Sequence, residues 1–255
     1  MNVLEIIPGA VLLRWIKIFA IGAVVYVALW LFGIQRLFLD DAEGIGVLLQ
    51  IIGTLYSVLY AFATYVIWGQ FTAVENEILK ESGSLKDLLV FSRPLGEKTR
   101  DPIVRAAKKY AKSVVETEWG ALSRNEDTEP TDRLFLEIIT AVADIKPADD
   151  TQRIVFDRLL EIANQASAHR DERLALSVKR MPRTLFAFVT LTAFTILLLV
   201  LLYPFHRALL GLASVSITSM LLYFAHFVLA DLDNPFEGSW NVTNDSFGEL
   251  ITRFH

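Results

Sequence analysis

The chain has 255 residues, of which 53% are hydrophobic, with no cysteine and a formal net charge of −5, and its mean hydropathy is +0.43. This composition is more apolar than that of a typical soluble domain. The absence of cysteine excludes disulfides and thiolate chemistry. The negative net charge gives no support for nucleic-acid binding.

Four long apolar segments, arranged as two pairs, flank a polar central region of the chain. They cover residues 11–32, 45–68, 185–203 and 208–230. Each approaches or exceeds the roughly 20 apolar residues that an α-helix needs to cross a bilayer, and none carries a charge at its centre. The sequence therefore predicts an all-α membrane protein with four transmembrane helices. The predicted domains are a first transmembrane helix pair over 1–70, a cytoplasmic helical domain over 71–183, a second transmembrane helix pair over 184–230 and a cytoplasmic C-terminal tail over 231–255.

Basic residues beside the apolar segments predict how the chain is threaded. Arg14 and Lys17 open the first segment, and Lys179, Arg180 and Arg183 precede the third. The positive-inside rule then places both termini and the central domain in the cytoplasm. Tryptophans near segment ends fit an aromatic belt at the membrane interfaces: Trp15, Trp30 and Trp68.

The second apolar segment carries small and polar residues near one helical stripe. These residues are Gly46, Gln50, Gly53, Ser57 and Thr64. A polar stripe on a spanning helix has to face protein or water, so it either packs against another helix or lines a pore. Gln50 favours the pore, because its amide needs partners in the membrane. Leu55 and Phe62 on the same segment are candidates for a gate that closes by excluding water.

The central region reads as helical throughout. Gly83 weakens or ends the helix that continues from the second segment, and residues 92–96, with Pro94 and Gly96, break it. Asp101 followed by Pro102 predicts a new helix start. Residues 149–180 predict a long helix, whose charged stretch 167–173 is expected to be exposed. Two sets of apolar residues at helical spacing predict buried faces: Ile103, Ala106, Ala107, Tyr110, Val114 and Trp119 on the earlier helix, and Ile154, Val155, Leu159, Ile162 and Ala166 on the later one.

The fourth apolar segment carries a polar face formed by Ser216, Ser219, Tyr223 and His226. An ionisable residue inside a membrane indicates a functional site, and a proton- or ion-linked role for His226 follows from that rule. The alternative is that His226 lies at the membrane interface, since Asp231 follows only five residues later.

A turn motif follows this segment and comprises Asp231, Asp233, Asn234, Pro235, Phe236 and Gly238. Its carboxylates suit a cation such as Ca²⁺, although the spacing is not that of an EF-hand. In the alternative interpretation Asn and Asp satisfy local backbone groups, Pro235 fixes the turn and Phe236 anchors it in a neighbouring element. The sequence predicts no metal site and no cofactor.

Three motifs give the chain a resemblance to a known family. They are Trp-Gly-Gln-Phe at residues 68–71, the Tyr-Ala…Glu-x-Glu-Trp pattern over 110–119, and Asp-Asn-Pro-Phe-x-Gly over 233–238. Together they resemble the bestrophin-like family of prokaryotic membrane proteins, which is distantly similar to the bestrophin anion channels. The resemblance covers nearly the whole chain.

The resemblance implies an oligomeric channel in the cytoplasmic (inner) membrane of a prokaryote, with five subunits as in bestrophins. Its second transmembrane helix would line a pore that passes anions such as chloride. The expected partners are membrane lipid, further copies of the chain and the permeant ions. No catalytic motif is present, so an enzyme is not expected. The alternative function is a non-conducting sensor or scaffold, which binds a cytosolic partner through the helical domain.

Overall fold

The computed structural model describes residues 9–126 and 128–253, and every regular element within these ranges is helical. The α-helices are α1 (Gly9–Leu31), α2 (Ala42–Phe91), α3 (Glu97–Ser113), α4 (Trp119–Ser123), α5 (Glu129–Ala143), α6 (Asp150–Ser177), α7 (Arg183–Leu202), α8 (Ala208–Leu232) and α9 (Asp245–Arg253). Short 3₁₀ turns, Ile34–Phe38 and Arg93–Leu95, flank α2, and the π-helical segment Val114–Glu118 joins α3 to α4. The prediction of an all-α protein is confirmed.

Within the described residues, α2, α7 and α8 are long and apolar enough to cross a membrane. Helix α1 contributes a shorter apolar stretch, Ile16–Leu31. Three of the four predicted transmembrane helices are therefore found as candidate spans. That α1 also crosses the membrane stays a prediction. The side chain of Trp15, which was expected in the aromatic belt, is not among the side chains that the structure describes.

The chain divides into two compact units. The first, hereafter the membrane unit, is formed by the described part of Met1–Ile67 together with Met181–Ala230. Its helices α1 and α8 approach closely at two glycines. A Cβ atom added at Gly22 would lie 3.1 Å from Ser219 Oγ, and one added at Gly211 would overlap the Tyr26 hydroxyl. Such close approach of small residues is typical of helix packing in membranes.

The second, hereafter the helical unit, is formed by Trp68–Arg180 and the described part of Asp231–His255. The predicted face of α3 is buried in its core, since Ile103, Tyr110 and Val114 have no exposed surface. The residues after α8 belong to the same core through Phe236 and Phe247. The C-terminal segment is thus an integral part of the packing of this unit.

Helix α2 ends directly before the predicted break at 92–96, but an end at Gly83 and the predicted start of the next helix at Asp101 were wrong. Helix α2 continues through Gly83 to Phe91, because one glycine costs only about 1 kcal/mol and the helix beyond it buries a row of leucines in the core. Helix α3 begins at Glu97, directly after Gly96 with its φ of +78°. Asp101 and Pro102 therefore lie in the second turn of the helix and do not mark its start.

The prediction for the start of α6 was right in outline. Asp149 is the N-cap residue, and its carboxylate accepts a hydrogen bond of 2.7 Å from the Gln152 N–H. The predicted burial of Ile154 was wrong, because it is 71% exposed near the beginning of the helix. The buried face begins further along, with Leu159 and Ile162.

Candidate functional site

The polar stripe of α2 lies on the outside of the single chain. Only 6% of the apolar window of α2 is buried, against 22% for α7 and for α8. Gln50 and Ser57 are exposed, whereas Gly46, Gly53 and Thr64 are partly covered. A Cβ atom added at Gly53 would meet nothing within 4 Å. Packing inside one protomer therefore does not explain glycine at this position.

The hydroxyl groups of the stripe donate hydrogen bonds to backbone carbonyls of their own helix. Ser57 donates to the Gly53 carbonyl at 2.9 Å, and Thr64 donates to the Tyr60 carbonyl at 2.9 Å. These bonds leave the hydroxyl oxygens facing outward with acceptor capacity. The backbone carbonyl of Gln50 accepts from the Thr54 hydroxyl at 2.8 Å, but its side-chain amide makes no hydrogen bond within the described part of the chain and is available to water or to another molecule.

The two candidate gate residues are also exposed on α2. Leu55 is 42% and Phe62 is 56% exposed. Neither packs in the core of the membrane unit. Their arrangement across a pore requires more than one copy of the chain, and their role as a gate stays a prediction.

The polar face of the fourth segment divides into two environments within the membrane unit. Ser216 and Ser219 are buried, and Ser219 donates to the Val215 carbonyl at 2.7 Å. Tyr223 and His226 are partly covered. The four residues share α8, but only the serines lie in the interior.

His226 makes one hydrogen bond along its helix. Its Nδ1 lies 2.9 Å from the Leu222 carbonyl oxygen, and a carbonyl only accepts, so Nδ1 carries the proton. The ring stacks on Tyr56 with centroids 6.5 Å apart and meets the edge of Phe186 at 6.1 Å. The buried Nε2 has no hydrogen-bond partner among the described residues.

Hydrogen bonds between side chains and backbone groups hold the turn motif after α8. The Asp231 carboxylate accepts from the Ser239 N–H at 3.0 Å and from the Trp240 N–H at 3.2 Å. Asn234 donates to the Ser123 carbonyl at 2.9 Å. Phe236 is buried edge-on against Trp119, with ring centroids 5.2 Å apart.

The remaining residues of the motif shape the chain. The Pro235 carbonyl accepts a hydrogen bond of 2.8 Å from the Val242 N–H, and Gly238 has a φ of +99°. Asp233 is partly covered. No group of three or more potential metal ligands occurs among residues 9–126 and 128–253. The geometry fits the interpretation in which the Asn and Asp side chains accept hydrogen bonds from nearby backbone N–H groups.

Sequence reasoning missed a cluster of buried charges in the helical unit, formed by Glu81, Tyr110, Glu118, Arg170 and Arg173 and called here the buried charge cluster. Arg173 and Glu118 have no exposed surface, and Arg170 is only 3% exposed. The prediction that 167–173 is exposed was therefore wrong for both arginines. It fails because each arginine finds a carboxylate far away in the sequence.

The cluster is held by short charge-assisted hydrogen bonds. Arg173 Nε donates to Glu81 at 2.6 Å and its Nη2 donates to Glu118 at 2.6 Å. Arg170 Nη2 donates to Glu118 at 2.8 Å and also pairs with Asp132, whose side chain is 46% exposed. Paired in this way, charges can be buried without the full cost of desolvation.

The hydroxyl of Tyr110 lies at the centre of the cluster. It donates to Glu81 and accepts from Arg170 Nη1 at 2.5 Å. Burial raises the pKa of Tyr110 well above its ordinary value, and the negative charge of Glu81 raises it further. Burial alone would lower the pKa of Arg173, but the negative charges of Glu81 and Glu118 raise it above its usual value.

A second, less buried pair lies between α2 and α6. His169 Nδ1 is 2.8 Å from Glu77, and Lys80 Nζ is 2.6 Å from the other oxygen of the same carboxylate. Burial raises the pKa of Glu77, but hydrogen bonds from Lys80 and His169 outweigh it, so that the pKa lies below its ordinary value. This carboxylate is therefore held in its charged form.

Helical spacing contained a signal for the buried charge cluster. On α6 the arginines continue the row of Leu159, Ile162 and Ala166 at steps of three and four residues. A charged residue in the row of a buried face is either misplaced or paired, so both arginines could have been assigned to the interior.

Comparisons with known proteins agree with this architecture. The family described as "Bestrophin-like domain" matches residues 18–247, and no curated protein matches the sequence. Crystal structures of a bacterial bestrophin homologue from Klebsiella pneumoniae share the fold. Two point variants give TM-scores of 0.73 and 0.72 at 13% identity, covering 94% and 97% of this chain and 97% and 98% of the other.

A third structure of that homologue, phased by zinc anomalous scattering, gives a TM-score of 0.68 at 12% identity, with coverage of 94% of this chain and 97% of the other. At this identity the structures establish a common fold. The family match spans all three long apolar helices and most of the helical unit. The chain therefore belongs to the bestrophin-like family.

Proposed function

We propose that this protein is a homo-oligomeric ion channel in which α2 lines the pore and anions are the permeant species. The observation that carries the proposal is that α2, the longest apolar helix among the described residues, is the least covered by its own chain of the three candidate spans. In a family whose solved relatives are bestrophin homologues, this exposure supports placing α2 at a common axis.

A ring of copies explains both the low burial of α2 within one chain and the polar stripe on its exposed surface. One chain offers too few spans to enclose a wide pore, and closed rotational symmetry is the usual way for identical subunits to assemble. At the axis, the stripe of Gln50 and Ser57 faces water while the remaining surface of α2 contacts neighbours. A ring of five, as in bestrophins, is the proposed assembly. Leu55 and Phe62 are the proposed gate.

Selectivity for anions is the part of the proposal that rests on the resemblance to bestrophins. Three exposed carboxylates, Asp40, Asp41 and Glu43, lie at the start of α2 and attract cations. The stripe itself carries no charge, and the free amide of Gln50 is a donor for a passing anion. Selectivity for anions therefore has to arise along the stripe.

The chain lacks cysteine, so a single introduced thiol can be modified without background. Purified protein in proteoliposomes is tested for chloride and potassium flux separately, before and after treatment with a negatively charged, water-soluble thiosulfonate. Modification of Ser57→Cys is expected to reduce the chloride flux. Val58→Cys, on the neighbouring residue about 100° around the helix and 63% exposed, is the matched control and is expected to be insensitive.

The outcomes separate the parts of the proposal. Potassium flux without chloride flux would retain the channel and refute anion selectivity. Equal sensitivity at both thiols, or at neither, would refute the assignment of the stripe. A strictly monomeric protein in mild detergent, or folded oligomer without flux together with a stoichiometric cytosolic partner in a pull-down, would favour the scaffold instead.

A further inference from the structure

Trp240 is an exposed aromatic residue that the turn motif presents to the outside of the helical unit. Its side chain is 52% exposed. Its ring meets the edge of Trp68 with centroids 5.7 Å apart, and Trp68, itself 45% exposed, stacks on Phe71 at 5.9 Å. Two exposed tryptophans thus lie side by side, and neither contributes to the core of the unit.

The loop that carries Trp240 is held in place at its backbone. The Asp231 carboxylate accepts hydrogen bonds from the backbone N–H groups of Ser239 and Trp240. Gly238 allows the required turn through its φ of +99°, and a Cβ atom there would overlap the Asp231 carboxylate. The position of Trp240 is therefore fixed by the fold, although its ring is exposed.

Covalent continuity places both tryptophans where membrane helices end. Trp68 directly follows Ile67, the last residue of α2 in the membrane unit, and Asp231 directly follows Ala230, the last residue of α8 in that unit. Trp240 contacts Trp68 through its ring and Asp231 through its backbone. It is thus tied to the residues that follow two apolar helices.

We propose that Trp68 and Trp240 form an interfacial anchor, in which the loop 231–240 inserts the Trp240 ring into the headgroup region of the bilayer. Tryptophan suits this position because its large ring is apolar and its indole N–H needs a polar partner, so that it is enriched at membrane–water interfaces. The anchor is independent of ion conduction, because a non-conducting protein of this fold would need it equally.

Nitroxide labels at single cysteines in the full-length protein, reconstituted in phosphatidylcholine vesicles, report the depth of each site. Collision with oxygen indicates the bilayer, and collision with a water-soluble nickel chelate indicates the aqueous phase. The label is placed at Ser239→Cys, beside the anchor. Ile217→Cys, 55% exposed on α8, is the bilayer control, and Leu136→Cys, 61% exposed on α5, is the aqueous control.

The expected result is that the label at position 239 loses nickel-chelate collisions relative to Leu136→Cys and gains oxygen collisions. Adding Trp240→Ala to the Ser239→Cys protein is expected to restore the collisions seen at the aqueous control. Collision rates at position 239 equal to those at Leu136→Cys, in protein that retains Trp240, would overturn the anchor. Aqueous values at Ile217→Cys as well would refute the membrane placement itself, and with it the proposed function.

Discussion

The buried charge cluster makes a strong prediction about Glu118. Its carboxylate accepts hydrogen bonds from both Arg170 and Arg173, and neither Glu118 nor Arg173 has any exposed surface. Glu118→Gln keeps the size of the side chain and removes its charge. Arg173 then keeps Glu81 and Arg170 keeps only the half-exposed Asp132, so that the buried residues of the cluster carry one positive charge in excess.

The expected loss follows from the burial. Removing one partner from a buried ion pair costs about 3–5 kcal/mol. For a chain of this size each kcal/mol lowers the unfolding temperature by about 2–4 °C, so Glu118→Gln is expected to lower it by roughly 6–20 °C. The assay is thermal unfolding of the purified protein in one detergent, followed by circular dichroism at matched concentrations.

Glu116→Gln is the matched control, two residues earlier on the same π-helical segment. Glu116 is 61% exposed at its side chain and pairs only with Lys112, at 3.8 Å. An exposed pair contributes at most about 1 kcal/mol, so the control is expected to shift the unfolding temperature by no more than about 4 °C. Equal shifts for the two variants would refute the reasoning. Adding Arg170→Met to Glu118→Gln should cost less than the sum of the single losses, because it removes the excess positive charge.

Three further predictions concern other parts of the chain. Gly211→Ala forces a methyl group into the Tyr26 hydroxyl and is expected to cost about 1–3 kcal/mol in thermal unfolding. Gly53→Ala meets no neighbour and is expected to leave the stability unchanged or to raise it by up to about 1 kcal/mol, because alanine is the better helix former. The pKa of Glu77 is lower in the folded protein than its ordinary value of 4.5, so its ionised form stabilises the fold above pH 4.5 and this contribution is lost as the pH falls through the folded-state pKa. Glu77→Gln should therefore make the unfolding temperature fall less steeply in acid. An unchanged pH profile would contradict this. Glu43→Gln removes a negative charge at the start of α2 and is expected to raise chloride flux relative to potassium flux in proteoliposomes.

Much of the helical architecture was predictable because its signals are local. The apolar segments define α2, α7 and α8 by length and composition alone. The N-cap at Asp149 and the break after α2 at Pro94 follow from side-chain chemistry within a few residues. The buried face of α3 follows from helical spacing, which depends only on the geometry of one helix.

The buried charge cluster was not predicted because its justification is not local. Arg173 pairs with Glu81, 92 positions earlier, and with Glu118, 55 positions earlier. A single sequence contains no information on which distant carboxylate meets which arginine. The same limit applies to Trp240, whose place beside Trp68 depends on the turn made by Gly238 and not on any pattern in the surrounding residues.

The π-helical segment Val114–Glu118 has a consequence for the comparison of relatives. A π turn holds one more residue than an α-helical turn. A relative that lacks this residue would complete the same turn with an α-helical repeat, and everything after the deletion would keep its orientation. Trp119 would then still meet Phe236, the contact that joins this helix to the turn after α8. A single alignment gap at this point is therefore compatible with an unchanged packing of the C-terminal segment, whereas a gap one or two turns away would rotate Trp119 by about 100°.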